Sequence, residues 1–488
     1  MLFSSCEDFL GKNPDNRTRI DSPEAASELL VSAYPEAMYQ GFAEALSDNT
    51  GDKGLGQYIS EYLPNSEAYF WKDDNSDQYD SPTYYWSKCY LAIAHANQVL
   101  KVISEAPDKE AYNPQKGEAL ACRAYAHFML VNIFGQHYNP TTSATDLGVP
   151  YVDQPETVVF KEYSRATVKE VYERIEADLT EALKLVKDEA YTVPKYHFTK
   201  AALNAFASRF YLYTGNWDKV IEHSSTVLGS NPSSKLRDWN GKYQNYTVEE
   251  LWAQYTKSEE SANILLTRGY TYWHTGLVVF RYSLSSAKKL ELFGEAGGDT
   301  RFDLAINDKI TYAAGDQELG FIPKYPRRYE QVAGTSADVG YPNTIIPLFT
   351  MEEVLFNRIE AYVMKGDNLN ALADLDSYFQ KRNKSYDPNY KVSEQKILDL
   401  YATEKGPDLA PFYSVSENQK PYIWYLLDLR RREFIHEGMR WFDIKRFNFE
   451  ITHTVFDGAN VKLPKNDPRR AIQIPAQAVA VGLVPNPR

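Results

Sequence analysis

Apolar residues recur at three- and four-residue spacing over most of residues 22–228, which is the period of an amphipathic α-helix. Ser22 followed by Pro23 is typical of a helix start, with a capping side chain and a proline at the first helical position. Thr167 and Glu170 form a capping-box pair ahead of a later helix. The apolar stripes are Trp86, Tyr90, Ile93 and Leu100, then Ala121, Ala124, Tyr125 and Phe128, then Val168, Val171, Ile175 and Leu179. The pattern predicts a mostly α fold.

Two predicted helices end in the same sequence pattern. An apolar helix stops at Gly215 and another stops at Gly366, and an Asn- or Asp-containing turn and a second amphipathic helix follow each glycine. Glycine readily adopts the left-handed conformation that ends a helix. Such antiparallel helix pairs are typical of tetratricopeptide (TPR) repeats. The two copies are far apart in the chain, so the sequence predicts an interrupted TPR-like scaffold over about 22–228 and 346–383.

Long irregular segments interrupt the helical pattern at about 48–84 and 231–345, where short alternating runs predict a few short strands. Irregular segments inserted into a rigid scaffold are commonly functional. Residues 384–488 are predicted to form a C-terminal helical segment and tail. We expect these parts to build one domain over residues 6–488.

Aromatic residues make up 14% of the chain, and flat rings are a natural surface for stacking against the faces of sugar rings. A tryptophan in a polar loop has no helix face to fill, so a ligand or a folded-back chain must cover it. We expect these rings to be exposed to a ligand. The candidate ligand-binding residues in the two inserted segments are the aromatic residues Trp71, Trp273, Tyr69, Tyr272 and Trp239, with Asp48 and Asn49 as polar partners for hydroxyl groups.

The formal net charge of −13 argues against a general nucleic-acid-binding protein, which needs a positive surface. It also argues against attachment to anionic lipid by charge alone. Three cysteines cannot build a disulfide framework in a chain of 488 residues.

Motifs for hydrolytic, nucleotide-binding and zinc chemistry are missing from the sequence. Asp73 opens an Asp-x-Asn-x-Asp run, but Gln78 stands where a calcium loop needs glycine and Tyr84 stands where it needs glutamate. We therefore predict no catalytic residue, no metal site and no cofactor.

The first residues resemble the end of a bacterial lipoprotein signal, because an apolar residue, Phe3, lies three residues before Cys6 and is followed by two small residues. We expect residues 1–5 to be the remnant of a signal peptide and Cys6 to carry the lipid.

Several phrases together resemble the SusD/RagB family of surface nutrient-binding lipoproteins, and the resemblance extends over essentially the whole chain. The phrases are EALACRAYAHF at 118–128, YHFTKAAL at 196–203, LRRREFIHEGMRWFDIKRF at 429–447, IQIP at 472–475 and NP at 486–487. The charged run from Arg430 to Arg446 is predicted to be structural. Its residues fall at helical spacing, and Gly438 is expected to end the helix. The planar guanidinium of arginine is suited to pairing with partly buried carboxylates.

The resemblance implies a lipoprotein anchored through Cys6 on the extracellular face of an outer membrane. It also implies a SusC-like TonB-dependent transporter as partner, to which the protein delivers a captured oligosaccharide or polysaccharide without catalysis. Three alternatives remain open at the sequence level: peptide capture as in the RagB branch, a helical glycoside hydrolase, and a helical-repeat scaffold without a ligand.

Overall fold

The structure is a computed structural model that describes residues 20–156, 162–294, 302–332, 340–389 and 391–488. As predicted, the described chain is mostly α-helical with a few short strands. The first helices are α1 (Pro23–Leu30), α2 (Gln40–Ala45), α3 (Leu63–Tyr69), α4 (Pro82–Glu105), α5 (Asn113–Phe134), α6 (Val168–Leu185), α7 (Lys200–Tyr213) and α8 (Trp217–Leu228). The later helices are α9 (Val248–Tyr255), α10 (Trp273–Val279), α11 (Ser286–Phe293), α12 (Met351–Lys365), α13 (Asn368–Arg382), α14 (Glu394–Leu400), α15 (Lys420–Glu433), α16 (Met439–Phe447) and α17 (Ala476–Ala480). None of the helices in the described residues combines the length and the apolar character needed to span a membrane.

The predicted helix pairs are confirmed. Gly215 separates α7 from α8 with a φ of 69°, and Gly366 separates α12 from α13 with a φ of 74°. Both angles lie in the left-handed region that glycine occupies without steric cost. Helix α12 packs against α8 as well as against α13. The two repeats are therefore neighbours in space, although a long insertion separates them in the sequence.

The strands are β1 (Gly51–Asp52), β2 (Asn263–Tyr270), β3 (Tyr282–Ser283), β4 (Thr311–Tyr312), β5 (Gly320–Phe321), β6 (Arg328–Gln331), β7 (Gly340–Thr350), β8 (Ile451–His453) and β9 (Val461–Leu463). Strand β7 is the centre of an antiparallel sheet in the order β2-β7-β6, in which Gly269 pairs with Thr344 and Arg328 pairs with Asn343. Strands β1 and β3 pair antiparallel and join the two inserted segments.

The charged C-terminal run is buried, as predicted. The Arg430 guanidinium is 2.8 Å from the Asp443 carboxylate, and Arg446 is 2.7 Å from Glu360. One detail of the prediction is wrong: α15 already ends at Glu433, and Gly438, with a φ of 70°, begins α16 instead of ending the preceding helix.

Candidate functional site

The buried carboxylate of Asp80 joins the two inserted segments. Asp80 is 2% exposed, accepts a hydrogen bond from the Thr271 hydroxyl, and accepts the backbone N–H of Tyr272 at 2.7 Å. In the part of the chain that the structure describes, no cation forms an ion pair with this carboxylate. Burial raises the pKa of Asp80 to about 7, against the opposing effect of the Thr271 hydrogen bond. Asp80 therefore fixes the start of α10, including Tyr272, relative to the start of α4.

A group of partly exposed tyrosine rings, here called the tyrosine surface, surrounds this junction. Its members come from both inserted segments and are Tyr62, Tyr79, Tyr84, Tyr270, Tyr272 and Tyr341. Tyr272 is 43% exposed and Tyr341 is 54% exposed, whereas the other four are half-buried. Because grouped apolar surface on a protein can mark a binding site, these rings are a candidate binding surface.

Tyr79 lies at the centre of the tyrosine surface. Its ring centroid is 5.1 Å from that of Tyr84, 5.5 Å from that of Tyr272 and 6.1 Å from that of Tyr270. The ring of Tyr62 contacts Tyr272 at 5.9 Å. These separations are those of favourable aromatic pairs, so the rings support one another without a ligand.

Charged groups lie at one edge of the tyrosine surface. The Arg268 guanidinium lies 5.0 Å from the Tyr270 ring and pairs with Glu36 at 2.6 Å and with Glu330 at 3.1 Å. The hydroxyl of Tyr270 donates to Glu330, and its ring lies 6.4 Å from Tyr341. The edge therefore offers hydrogen-bonding groups next to ring faces, which is the combination that orients a polar ligand.

The hydroxyls of Tyr62, Tyr84 and Tyr270 have raised pKa values and are protonated at neutral pH. Burial raises the pKa of Tyr270 to about 12, and it raises the pKa values of Tyr62 and Tyr84 further. Protonated phenols both donate and accept hydrogen bonds, so they suit ligands that are rich in hydroxyl groups.

Trp71 and Tyr69 are buried, so the expectation that their rings are exposed is wrong. Trp71 is 4% exposed, its ring stacks on His453 at 4.2 Å, and its indole N–H donates to the Leu46 carbonyl at 3.0 Å. Tyr69 is fully buried between Tyr282 and His453 at centroid distances of 4.3 and 4.2 Å. Strand β8 covers both rings, and it comes from a distant part of the chain.

Trp273 and Trp239 are fully buried, so their expected exposure is also wrong. The Trp273 indole N–H donates to the His436 carbonyl at 2.9 Å, and the ring of Trp239 packs against Tyr243 at 5.0 Å. Neither indole has a face available to an external ligand. Of the five aromatic candidates, Tyr272 alone lies on the exposed surface.

Asp48 and Asn49 are structural partners of C-terminal arginines. Arg440 binds both carboxylate oxygens of Asp48 at 2.7 and 2.9 Å, and Arg431 binds the Asn49 side-chain oxygen at 3.0 Å. Burial alone would raise the pKa of Asp48, but Arg431 and Arg440 outweigh it and hold that pKa well below its usual range. Asn49 also donates to Glu44 at 3.4 Å. Both polar groups are thus engaged inside the protein, and the expectation that they face a ligand is wrong.

Five members of the tyrosine surface were missed by the sequence analysis. One local signal could have found Tyr270, because it ends strand β2 two residues before Tyr272, which was already a candidate. Nothing local links either of them to Tyr79, which is brought close by the Asp80 junction. Cys6 and residues 1–5 lie outside the described residues.

Two family models match the chain. One, described as starch-binding associating with outer membrane, matches residues 8–212, and the other, described as the SusD family, matches residues 313–476. The chain belongs to the SusD/RagB family.

Relatives of this SusD-like chain match it over nearly its whole length. SusD-like protein P38 of Formosa agariphila is 22% identical over 92% of this chain and 89% of the relative. A SusD superfamily protein of Bacteroides thetaiotaomicron superposes with a TM-score of 0.69 at 19% identity, over 96% of this chain and all of the other. A laminarin-binding SusD-like protein superposes with a TM-score of 0.58 at 18% identity, over 95% and 98% of the two chains. These structural similarities establish the SusD-like fold.

Proposed function

We propose that this protein captures a glycan at its tyrosine surface and does not transform it. The observation that carries the proposal is the partly exposed ring cluster around Tyr79, which two separate insertions build and Asp80 holds together. Ring faces stack on the apolar faces of sugars, and the protonated phenols and the Arg268 group can bond to sugar hydroxyls. The description of the matching family model as starch-binding, and the laminarin-binding neighbour, support a glycan as the ligand class.

The cellular setting is part of the same proposal. A lipid on Cys6 would hold the protein at the outer membrane, facing outward, where a SusC-like TonB-dependent transporter would receive the glycan. The description of the family model as associating with outer membrane supports this setting. Mass spectrometry of the native membrane fraction tests it, since an unmodified Cys6 would contradict the anchor.

Replacement of Tyr79 and Tyr272 by alanine is expected to weaken glycan binding. Stacking of a base on an aromatic side chain, taken as a guide for a sugar ring, contributes about 1–3 kcal/mol per ring. Isothermal titration of the wild type against a panel of β- and α-glucan oligosaccharides identifies a ligand, and the same titration of Tyr79→Ala and Tyr272→Ala measures the loss.

The matched control is Tyr362→Ala, which removes a half-buried tyrosine from α12, outside the tyrosine surface. Affinity that falls equally in Tyr362→Ala, or that is unchanged in the Tyr79→Ala/Tyr272→Ala double variant, would contradict the site. Release of new reducing ends would favour a hydrolase, and binding of peptides in place of glycans would favour the RagB-like alternative.

A further inference from the structure

A cavity of about 560 Å³ lies at the C-terminal end of α5, and none of its lining residues belongs to the tyrosine surface. Its walls come from the segment after α5, from residues near Phe412, from the end of α16 and from the segment around Arg470. The volume is in the range of sites for small ligands. We call it the C-terminal pocket.

One wall of the C-terminal pocket carries cations without carboxylate partners. The Lys445 ammonium donates to the carbonyls of Asn132 and Gly135, and the Arg470 guanidinium donates to the carbonyls of Ile444, Phe449 and Pro464. Within the described ranges, no carboxylate forms an ion pair with either cation. Four of these five carbonyls lie at or just after the ends of α5 and α16, and a helix end contributes roughly half a negative charge. The charge of Arg470 and the partly protonated ammonium of Lys445 are therefore held mainly by carbonyl dipoles, with Asp467 acting on Arg470 from beyond ion-pair distance.

Two titratable groups of this wall, Lys445 and His137, have lowered pKa values, for which burial is the largest cause and neighbouring cations are the second. Burial, together with repulsion from Arg470, lowers the pKa of Lys445 to about 7. Burial, followed by Arg446 and Lys445, holds the pKa of His137 well below its usual range. The Nε atom of Arg446 and the Nε2 atom of His137 are buried without a hydrogen-bond partner. A buried polar atom without a partner requires an explanation, and a bound polar group is one such explanation.

Other parts of the lining suit a sugar ring. The half-buried rings of Tyr138 and Phe412 line the pocket and lie 6.0 Å apart, centroid to centroid. Asp146 also lines it and accepts a hydrogen bond from the Thr142 hydroxyl at 2.6 Å, and it forms no ion pair with a cation of the described residues. The pocket thus combines aromatic faces and hydroxyl-binding groups with a positive wall.

We propose that the C-terminal pocket binds a saccharide unit that carries an oxyanion, either a carboxylate or a sulfate ester. The oxyanion lies against Lys445 and Arg470, beside the unpartnered Nε atom of Arg446, whose other nitrogens pair with Glu360 and Asp443. The sugar ring lies against Tyr138 and Phe412. This site is separate from the tyrosine surface and does not depend on the function proposed for it.

The test compares D-glucuronate, D-glucose 6-sulfate and D-glucose by saturation-transfer NMR titration at constant ionic strength. Both anions are expected to bind about tenfold more tightly than glucose, because a charge-assisted hydrogen bond adds roughly that factor. The two anionic sugars distinguish the carboxylate from the sulfate source. Glucose binding as tightly as either anion would overturn the proposal. Inorganic sulfate binding as tightly as glucose 6-sulfate would overturn the assignment to a saccharide.

Two variants place the ligand. Lys445→Met removes one cation at similar side-chain length and is expected to abolish the preference for anions, with folding checked by thermal unfolding. Tyr138→Ala changes a half-buried rim residue and is expected to weaken all binding in the pocket. If Lys445→Met does not fold, Tyr138→Ala alone tests whether the ligand binds in this pocket. Tyr272→Ala is the control and should leave anion binding unchanged. Equal anion binding by wild type and Tyr138→Ala would overturn the proposed site, whatever the result at the tyrosine surface.

Discussion

Replacement of Arg382 by methionine is expected to lower the free energy of unfolding by about 3–5 kcal/mol, the usual cost of removing one partner from a buried ion pair. Arg382 is fully buried, and its guanidinium binds Glu433 at 2.8 and 2.9 Å and Glu352 at 2.8 Å. Burial alone would raise the pKa of Glu433, but Arg382 outweighs it and keeps that pKa below its ordinary value. Without the arginine, Glu433 becomes a buried charge that has lost its main counterion. Urea denaturation followed by circular dichroism measures the change.

Lys365→Met is the matched control for Arg382→Met. Lys365 is a cation of α12, the helix that packs against the α13 helix of Arg382. Its ion pair with Asp218 is largely exposed, with the two side chains 41% and 80% accessible. Exposed pairs contribute less than about 1 kcal/mol. Equal losses of stability in the two variants would show that the Arg382 cluster does not hold α12, α13 and α15 together.

The scaffold could be predicted from sequence because its signals are local. Capping by Thr167 and Glu170, and the left-handed glycines Gly215 and Gly366, act within a few residues of the helix ends that they define. The contact of α12 with α8 could not be predicted in this way, because it depends on how the long insertion returns the chain to the first repeat.

The burial of the tryptophans could not be predicted because their cover comes from distant residues. His436, which accepts the Trp273 indole N–H, and His453, which stacks on Trp71, belong to the C-terminal part of the chain. The polar residues next to Trp71 in the sequence do not indicate that a distant segment covers its ring. Large rings stabilise a fold strongly when buried, so a tryptophan in a polar segment is often covered by another segment.

The sequence predicts which segments build the tyrosine surface, but it does not predict which tyrosines belong to it. Both inserted segments contribute to it, as expected for irregular chain on a rigid scaffold. Tyr79 and Tyr272 are brought together where Asp80 is hydrogen-bonded to Thr271, and these two residues are far apart in the sequence. A single sequence provides no signal for such a pairing.

Asp80→Ala is expected to destabilise the protein and to weaken glycan binding together. The Thr271 hydroxyl and the Tyr272 N–H would lose their acceptor, at about 1–3 kcal/mol for each buried donor left unpaired. Asp80 adopts a left-handed φ of 60°. This conformation costs alanine about 1 kcal/mol more than it costs aspartate. Denaturation and glycan titration of the same preparation measure both effects. Lost stability with unchanged affinity would mean that Asp80 does not position the tyrosine surface.

Asp80→Asn separates geometry from charge, because asparagine has the same shape, tolerates the left-handed conformation and cannot ionise. We expect it to retain glycan binding and to change the pH dependence of stability. The pKa of Asp80 is raised to about 7 from an ordinary 3.8, so the folded state holds a proton that the unfolded state has lost across this interval. The stability of the wild type relative to Asp80→Asn should therefore be greatest below about pH 4 and fall by about 1.4 kcal/mol per pH unit up to about pH 7. A difference that stays constant across this interval would show that Asp80 ionises normally, and the hydrogen bonds to Thr271 and Tyr272 would then be those of a charged acceptor.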